Sequence, residues 1–301
     1  MLAALLLNAC LLFEPAADST FTAGRTEPRT EQLPSEHNNN TTEIHPVRFA
    51  LVSGFVAASM VGIHIYQQNG WWKNNRSPFH FQEDLKYGRS VDKLGHFYGG
   101  TVVAFIVRNA YRWAGLSEET ALYWGSAGSL LFQTYVEIED GFSKWGFDRV
   151  DFAADVAGAA WPIAQYHSPF LRNFDFKFSY VPSPALNTSQ GVGFAGQKHI
   201  MFDDYEGQTI WMSMKMKNLL PRAVASFWPE WLNLSFGYAV RDVFSPNPYS
   251  AWLLAFDLDM TKIIPNDTPF LKLLGEALNF IKVPAPTMQF SPRIIWYGIY
   301  F

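Results

Sequence analysis

The hydrophobic pattern of this 301-residue chain changes period once, near Leu171, and that change constrains the fold more than any other feature. Before it, apolar residues run in long stretches of helical length. After it, they alternate. Phe174, Phe176, Phe178 and Tyr180 alternate with Asp175, Lys177 and Ser179. Ile210, Met212, Met214 and Met216 alternate with Trp211, Ser213, Lys215 and Lys217. Leu232, Leu234, Phe236, Tyr238 and Val240 repeat the pattern, as do Leu254, Phe256, Leu258 and Met260. Period two predicts strands, because successive side chains of an extended chain point to opposite faces. A last strand is expected over residues 293–301, two further ones over 192–202 and 287–290, and a short amphipathic helix over 269–281. The expected fold class is α+β. A bundle of about four apolar helices with polar core clusters precedes an antiparallel β-rich half, either an open sheet or small and barrel-like.

Residues 49–66 are apolar apart from His64 and lie at the lower edge of the length that spans a bilayer. Trp71, Trp72 and Lys73 follow, in the order of an interfacial belt. A second helix is expected over residues 90–113. A third, over 117–139, opens on Ser117 with Glu118 and Glu119 behind it. A fourth, over 149–166, is closed by Pro169. Hydropathy admits both membrane helices and the buried helices of a water-facing bundle. Charged residues make up 17% of the chain, against roughly 25% in a soluble domain, so the chain either meets lipid or buries much of its surface. A net charge of -4, with no basic block or phosphate loop, excludes nucleic acid as a partner.

The first thirteen residues form a short apolar run of the kind found in secretory signals. Within it, Leu7-Asn8-Ala9-Cys10 has the form of a bacterial lipobox, in which Cys10 would carry the lipid; the alternative is an inert thiol in an ordinary signal or anchor. No Lys or Arg precedes the run, and nine residues before Cys10 is short. Residues 14–45, rich in Thr, Glu, Pro and Asn, are expected to be a disordered tether. The organisation expected is signal or anchor (1–13), tether (14–45), helical module (46–170) and β-rich module (171–301). The expected location is the bacterial cell envelope. The outer membrane or periplasmic face is favoured, and a multi-pass inner-membrane protein is the alternative. Membrane lipid is the expected partner, with other envelope proteins beside it.

Polar clusters interrupt the helices. Asp92 and His96 are four apart and share a face, with Lys93 between them. Glu137, Glu139 and Asp140 end the third helix. Asp148, Asp151 and Asp155 make one stripe at the start of the fourth. Gly95 and Gly99, and likewise Ala154 and Gly158, have the spacing that lets helix backbones approach. The run Asp92-Lys93-x-Gly95-His96-x-x-Gly99 resembles the DUF2279 family of predicted envelope lipoproteins. So do Glu137-x-x-Asp140-Gly141 and Asp148-x-x-Asp151-x-x-x-Asp155-x-x-Gly158-Ala159. The likeness covers about residues 85–165 and implies location and architecture more than chemistry. More distantly the same order resembles VanZ-like membrane proteins, with Asp where that pattern carries Gln and Asn.

Clustered carboxylates repel unless protons, basic side chains or a cation compensate. The bland reading is a polar lock that sets helix register. The sharper one is a divalent-metal site with candidate ligands Glu137, Asp140, Asp148, Asp151, Asp155 and His96, and candidate catalytic groups His96, Asp92, Lys93 and Asp151. Two functions follow: a non-enzymatic envelope protein that binds or scaffolds, or a metal-assisted hydrolase or transferase acting on lipid-linked material. No nucleophile motif is present, which inclines the reading away from an enzyme. His64, His80, His167 and His199 read as packing or surface histidines, and Asp203-Asp204-Tyr205-Glu206-Gly207 as a solvated turn.

Overall fold

The computed structural model describes residues 43–69, 72–188 and 200–301. The expected signal, the tether to residue 42, Cys10, Trp71, His199 and most of the strand expected over 192–202 lie outside them. Helix α1 spans Pro46–Asn69, α2 Val91–Trp113, α3 Glu118–Gly141 and α4 Arg149–His167. Local chemistry sets their ends. The Ser117 hydroxyl accepts the Thr120 N–H at 3.2 Å, and the Asp148 carboxylate accepts those of Val150 and Asp151 at 2.7 and 3.3 Å. Each cap satisfies amides that a helix start leaves without an intrahelical partner.

Helices α2, α3 and α4 pack as a tight group. Gly100 and Gly158 let α2 and α4 touch through their backbones: a Cβ at Gly158 would lie 2.1 Å from the Phe97 carbonyl oxygen. The expected seam along Gly95 and Gly99 is not this contact. Gly95 has open space around it, and Gly99 meets only the Gln133 side chain, at 3.7 Å. The close approach falls one residue on, because the polar face of α2 carrying His96 is turned toward carboxylates instead.

Helix α1 lies against this group along one narrow stripe. Val52 is buried with Val107, Ala110 and Tyr111, and Gln68 donates to Glu139 at 3.1 Å. The rest of α1 is bare: Leu51, Phe55, Val61 and Ile65 are all exposed. Trp72 corrects the expected interfacial belt. It is fully buried in protein, and its indole N–H donates to Asp140 at 2.6 Å.

Among the described residues, six antiparallel strands follow in the order β1-β2-β3-β4-β5-β6. They are Phe174–Tyr180, Gln208–Met214, Leu232–Arg241, Tyr249–Leu258, Ala285–Ser291 and Ile295–Tyr300. Helix α5, Pro269–Leu278, precedes β5. Ile200, Met201 and Phe202, the described end of one expected strand, form coil and turn. The strand order is open, yet the sheet is rolled. The Trp211 ring on β2 lies 5.7 Å from that of Tyr300 on β6, although four strand spacings of about 4.8 Å would hold them roughly 19 Å apart in a flat sheet. A short parallel bridge to Ile281 covers part of the free edge of β1, with the Phe178 N–H donating to the Phe280 carbonyl at 3.0 Å.

Rolling turns the small and polar face inward. Thr209, Trp211, Ser213, Asn233, Ser235 and Gln289 are buried, whereas Phe256, Phe290 and Trp296 on the opposite face are exposed. Part of that aromatic face is covered: Phe176 and Phe178 of β1 and Ile210 of β2 pack on Tyr98, Val102 and Phe105 of α2. Strict alternation along the last strand is broken by a bulge. Thr287 pairs with Tyr297 but Ala285 with Tyr300, so both tyrosines pack inward beside Trp211.

The two glycine environments predict substitutions of opposite sign. Gly158→Ala forces backbone apart and should cost about 1–3 kcal/mol, whereas Gly95→Ala adds helix propensity in open space and should gain up to about 1 kcal/mol. Urea unfolding of the two variants measures both.

Candidate functional site

Three helix ends carry the polar centre: the first turns of α2 and α4 and the last turns of α3. Lys93 stands at one side of it. Its ammonium donates to Asp92 at 3.0 Å, Asp148 at 2.7 Å and Asp151 at 3.0 Å, which uses all three of its N–H bonds. Asp148 also accepts the Asp84 N–H at 2.9 Å, tying the segment before α2 to the start of α4.

His96 stands at the other side. Its Nδ1 lies 3.0 Å from Asp155 Oδ1 and 3.6 Å from Glu137 Oε1, and its Nε2 lies 3.9 Å from Asp151 Oδ2. Asp155 and Glu137 are 1% and 2% exposed, whereas the His96 side chain is 26% exposed and forms the solvent-facing edge. Gln133, one turn before Glu137, donates to Asp155 Oδ1 at 2.6 Å. The second oxygen of Asp155 and one oxygen each of Asp92 and Asp151 are buried without a hydrogen bond.

Burial dominates the proton affinities here. It pushes Glu137 up to about 9 and Asp151 and Asp140 up to about 6, against the pull of His96 on Glu137 and Asp151 and of the Trp72 hydrogen bond on Asp140. Asp92 is raised for the same reason. For His96, burial acts to lower the value, but the Asp155 hydrogen bond and the charges of Asp151, Asp155 and Glu137 outweigh it, giving about 10. Lys93 is likewise raised: its bond to Asp148 and the charges of Asp92 and Asp151 overcome burial. Asp148 is lowered, because the Lys93 ammonium and two backbone N–H groups overcome the opposing effect of burial.

The candidate ligands therefore fall into three groups. His96, Glu137 and Asp155 offer atoms that all lie within 4.8 Å of one another. Asp92, Asp148 and Asp151 are gathered by Lys93, with Asp151 also facing His96. Asp140 is turned away to Trp72. Sequence reasoning passed over Gln133 as a site residue, although its position one turn from Glu137 was a usable signal. Trp72 had no signal, since its partner is 68 residues away. Among the expected bland histidines, His64 bonds the Tyr135 hydroxyl, and His167 pairs with the Tyr123 hydroxyl at 3.0 Å. The expected solvated turn is corrected at Asp204, which is buried and accepts from the Tyr180 hydroxyl at 2.8 Å and the Ser183 N–H at 2.9 Å.

A second buried ionic group, absent from the sequence reading, lies inside the rolled sheet. Lys177 and Asp257 are both fully buried and 2.9 Å apart. Lys282 lies 3.7 Å from the same carboxylate and donates to the Phe256 and Val283 carbonyls, both at 2.8 Å.

Helices that meet end to end at a carboxylate–histidine centre, backed by a rolled sheet, define a helical module with a buried ionic core. Residues 80–167, which hold every member of that centre, match the model of the DUF2279 family, described as predicted periplasmic lipoprotein. The match bears out the family resemblance read from the motifs and fits a cell-envelope location. No curated protein and no solved structure matches the chain.

Two outcomes follow. Lys93→Met leaves three carboxylates without their shared cation and should cost about 3–5 kcal/mol in chemical denaturation. Burial depresses Lys282 to about 8, the charges of Asp257 opposing it. The unfolded chain then holds a proton that the folded chain releases between about pH 8 and the ordinary lysine value near 10.4, so this group makes stability rise with pH across that window. Lys282→Met should remove that rise in unfolding curves measured at pH 7.5 and pH 10.

Proposed function

We propose that the protein is a membrane-attached component of the cell envelope with a binding or scaffolding role, held at the bilayer by α1 and by a lipid on Cys10. One observation carries this reading. The most apolar 18-residue window of α1 has a mean hydropathy of 1.7, yet only 6% of it is buried in the protein. Twenty-four helical residues reach about 36 Å, enough to cross a hydrocarbon core of about 30 Å. A helix this apolar and this bare needs a non-aqueous neighbour. Trp124, Leu131 and Ile138, spaced by seven along α3, add a second exposed apolar stripe, and Trp296 on the sheet is 75% exposed. The ionic centre then serves as the clamp that keeps three helices in one register beside the membrane.

A metal-assisted hydrolase or transferase is the second reading, favoured by the convergence of His96, Glu137 and Asp155. Substitution of His96 separates the two: a scaffold loses stability, an enzyme only turnover.

Membrane attachment is tested by carbonate extraction and sedimentation. Cys10→Ala should leave the protein in the membrane pellet through α1. Adding Phe55→Asp and Ile65→Asp, at exposed positions that disturb no packing, should move it to the supernatant. Each buried charge costs about 2.5–3.5 kcal/mol at the centre of a spanning helix. Release of the unsubstituted protein by carbonate alone would overturn the reading.

A further inference from the structure

Lys93 has no N–H left for the inner carboxylates. Its three bonds go to Asp92, Asp148 and Asp151, so among the described residues His96 is the basic group that faces Glu137 and Asp155, both almost fully buried. Asp155 Oδ2 is a buried acceptor with no donor, on the side chain that His96 and Gln133 reach only through Oδ1. An ionised carboxylate buried in this way needs a compensating charge, which a proton on His96 supplies in the metal-free protein and a bound cation would supply in its place.

The geometry is that of a coordination shell. His96, Glu137 and Asp155 come from three different helices, and their ligand atoms lie within 4.8 Å of one another. Ligands about 2.1 Å from a tetrahedral ion are roughly 3.4 Å apart. The separations from His96 Nδ1, 3.0 Å to Asp155 and 3.6 Å to Glu137, bracket that value. The surroundings follow the same logic. Metal-binding imidazoles hand their other ring N–H to a carboxylate, and ligating carboxylates are themselves hydrogen-bonded. Asp155 accepts from Gln133 at 2.6 Å, and Asp151 Oδ2 is the carboxylate oxygen beside His96 Nε2, at 3.9 Å and so outside hydrogen-bond reach. Three protein ligands, with the exposed edge of His96 alongside, leave a fourth position for water.

We infer that His96, Glu137 and Asp155 bind one divalent transition-metal ion of the zinc class, with Gln133 orienting Asp155 and Asp151 beside His96. The mixed nitrogen and carboxylate donor set selects this class over magnesium or calcium, which take oxygen ligands. This inference is independent of the membrane reading, since it concerns only the interior of the bundle. It narrows the candidate ligands: Asp140 and Asp148, although acidic and close, are committed to Trp72 and Lys93.

The full chain, purified in detergent and stripped with EDTA, is titrated with zinc sulfate alone by calorimetry, and retained metal is counted after desalting. One zinc per chain is expected. Asp155→Asn and Glu137→Gln should each weaken zinc binding at least tenfold with unchanged far-ultraviolet circular dichroism, whereas Asp140→Asn should bind as the parent does. Failure of the parent to retain stoichiometric zinc, or equal affinity in Asp155→Asn, would overturn the inference. Should the variants not fold, zinc absorption spectroscopy of the parent decides. A shell of oxygen with one imidazole is expected, and a shell containing sulfur or lacking imidazole would sink it.

Discussion

The ammonium of Lys93 touches three carboxylates that stand at the openings of two helices, and the arrangement of the helical half depends on that contact. Asp92 opens α2 while Asp148 and Asp151 open α4, so the two helix starts are drawn to one point. Negative side chains are favoured at helix N-termini, where unpaired amides leave partial positive charge. Asp148 caps α4, Asp92 and Asp151 lie in the first turns of their helices, and the three crowd one another. Lys93 resolves the crowding on one side of the centre. On the other, His96 is the basic group beside Glu137 and Asp155, and Asp155 keeps one buried oxygen without a donor, so similar acids divide into a group held by Lys93 and a group gathered at His96.

The sheet repeats the principle in a different setting. Its inner face combines buried polar groups with a cluster of Trp211, Leu253 and small residues, and its outer face is aromatic and apolar. Lys177 and Lys282 share the carboxylate of Asp257, with the Lys282 ammonium 5.1 Å from the centre of the Trp211 ring. Burying charge is costly unless it is paired, and the rolled sheet brings residues of β1, β4 and the α5–β5 connection together around Asp257. The aromatic residues thereby turned outward are covered by α2 over β1 and β2 and left bare over β4 to β6.

The helices could be read from sequence because their signals are local: Ser117 and Asp148 announce starts, Pro169 an end, and apolar spacing the length. The strands could be read from alternation. What alternation leaves open is which face turns inward. Lys177 and Asp257 are 80 positions apart, and nothing near either indicates the other. At the site, the i, i+4 pair Asp92–His96 and the stripe Asp148–Asp151–Asp155 were visible as single-helix patterns. The rotation of α3 was not, and it decides that Glu137 points at His96 while Asp140 points at Trp72. The displaced glycine contact, Gly100 with Gly158 instead of Gly95, has the same origin: spacing gives a face of one helix but not the partner that occupies it.

The packing of α2 on the sheet also imposes an order in time. Tyr98 on α2 donates its hydroxyl to the carbonyl of Phe280 at 2.8 Å, across 182 residues of chain. At about 5–20 residues per second, the segment that covers this ring emerges from the ribosome roughly 10–40 s after Tyr98 itself. Phe176, Phe178 and Ile210, other partners of that face, emerge earlier, so for the rest of the interval the aromatic side of α2 is only partly covered and must be kept from pairing with the wrong surface. Native closure of the bundle against the sheet is therefore completed only once Phe280 has emerged.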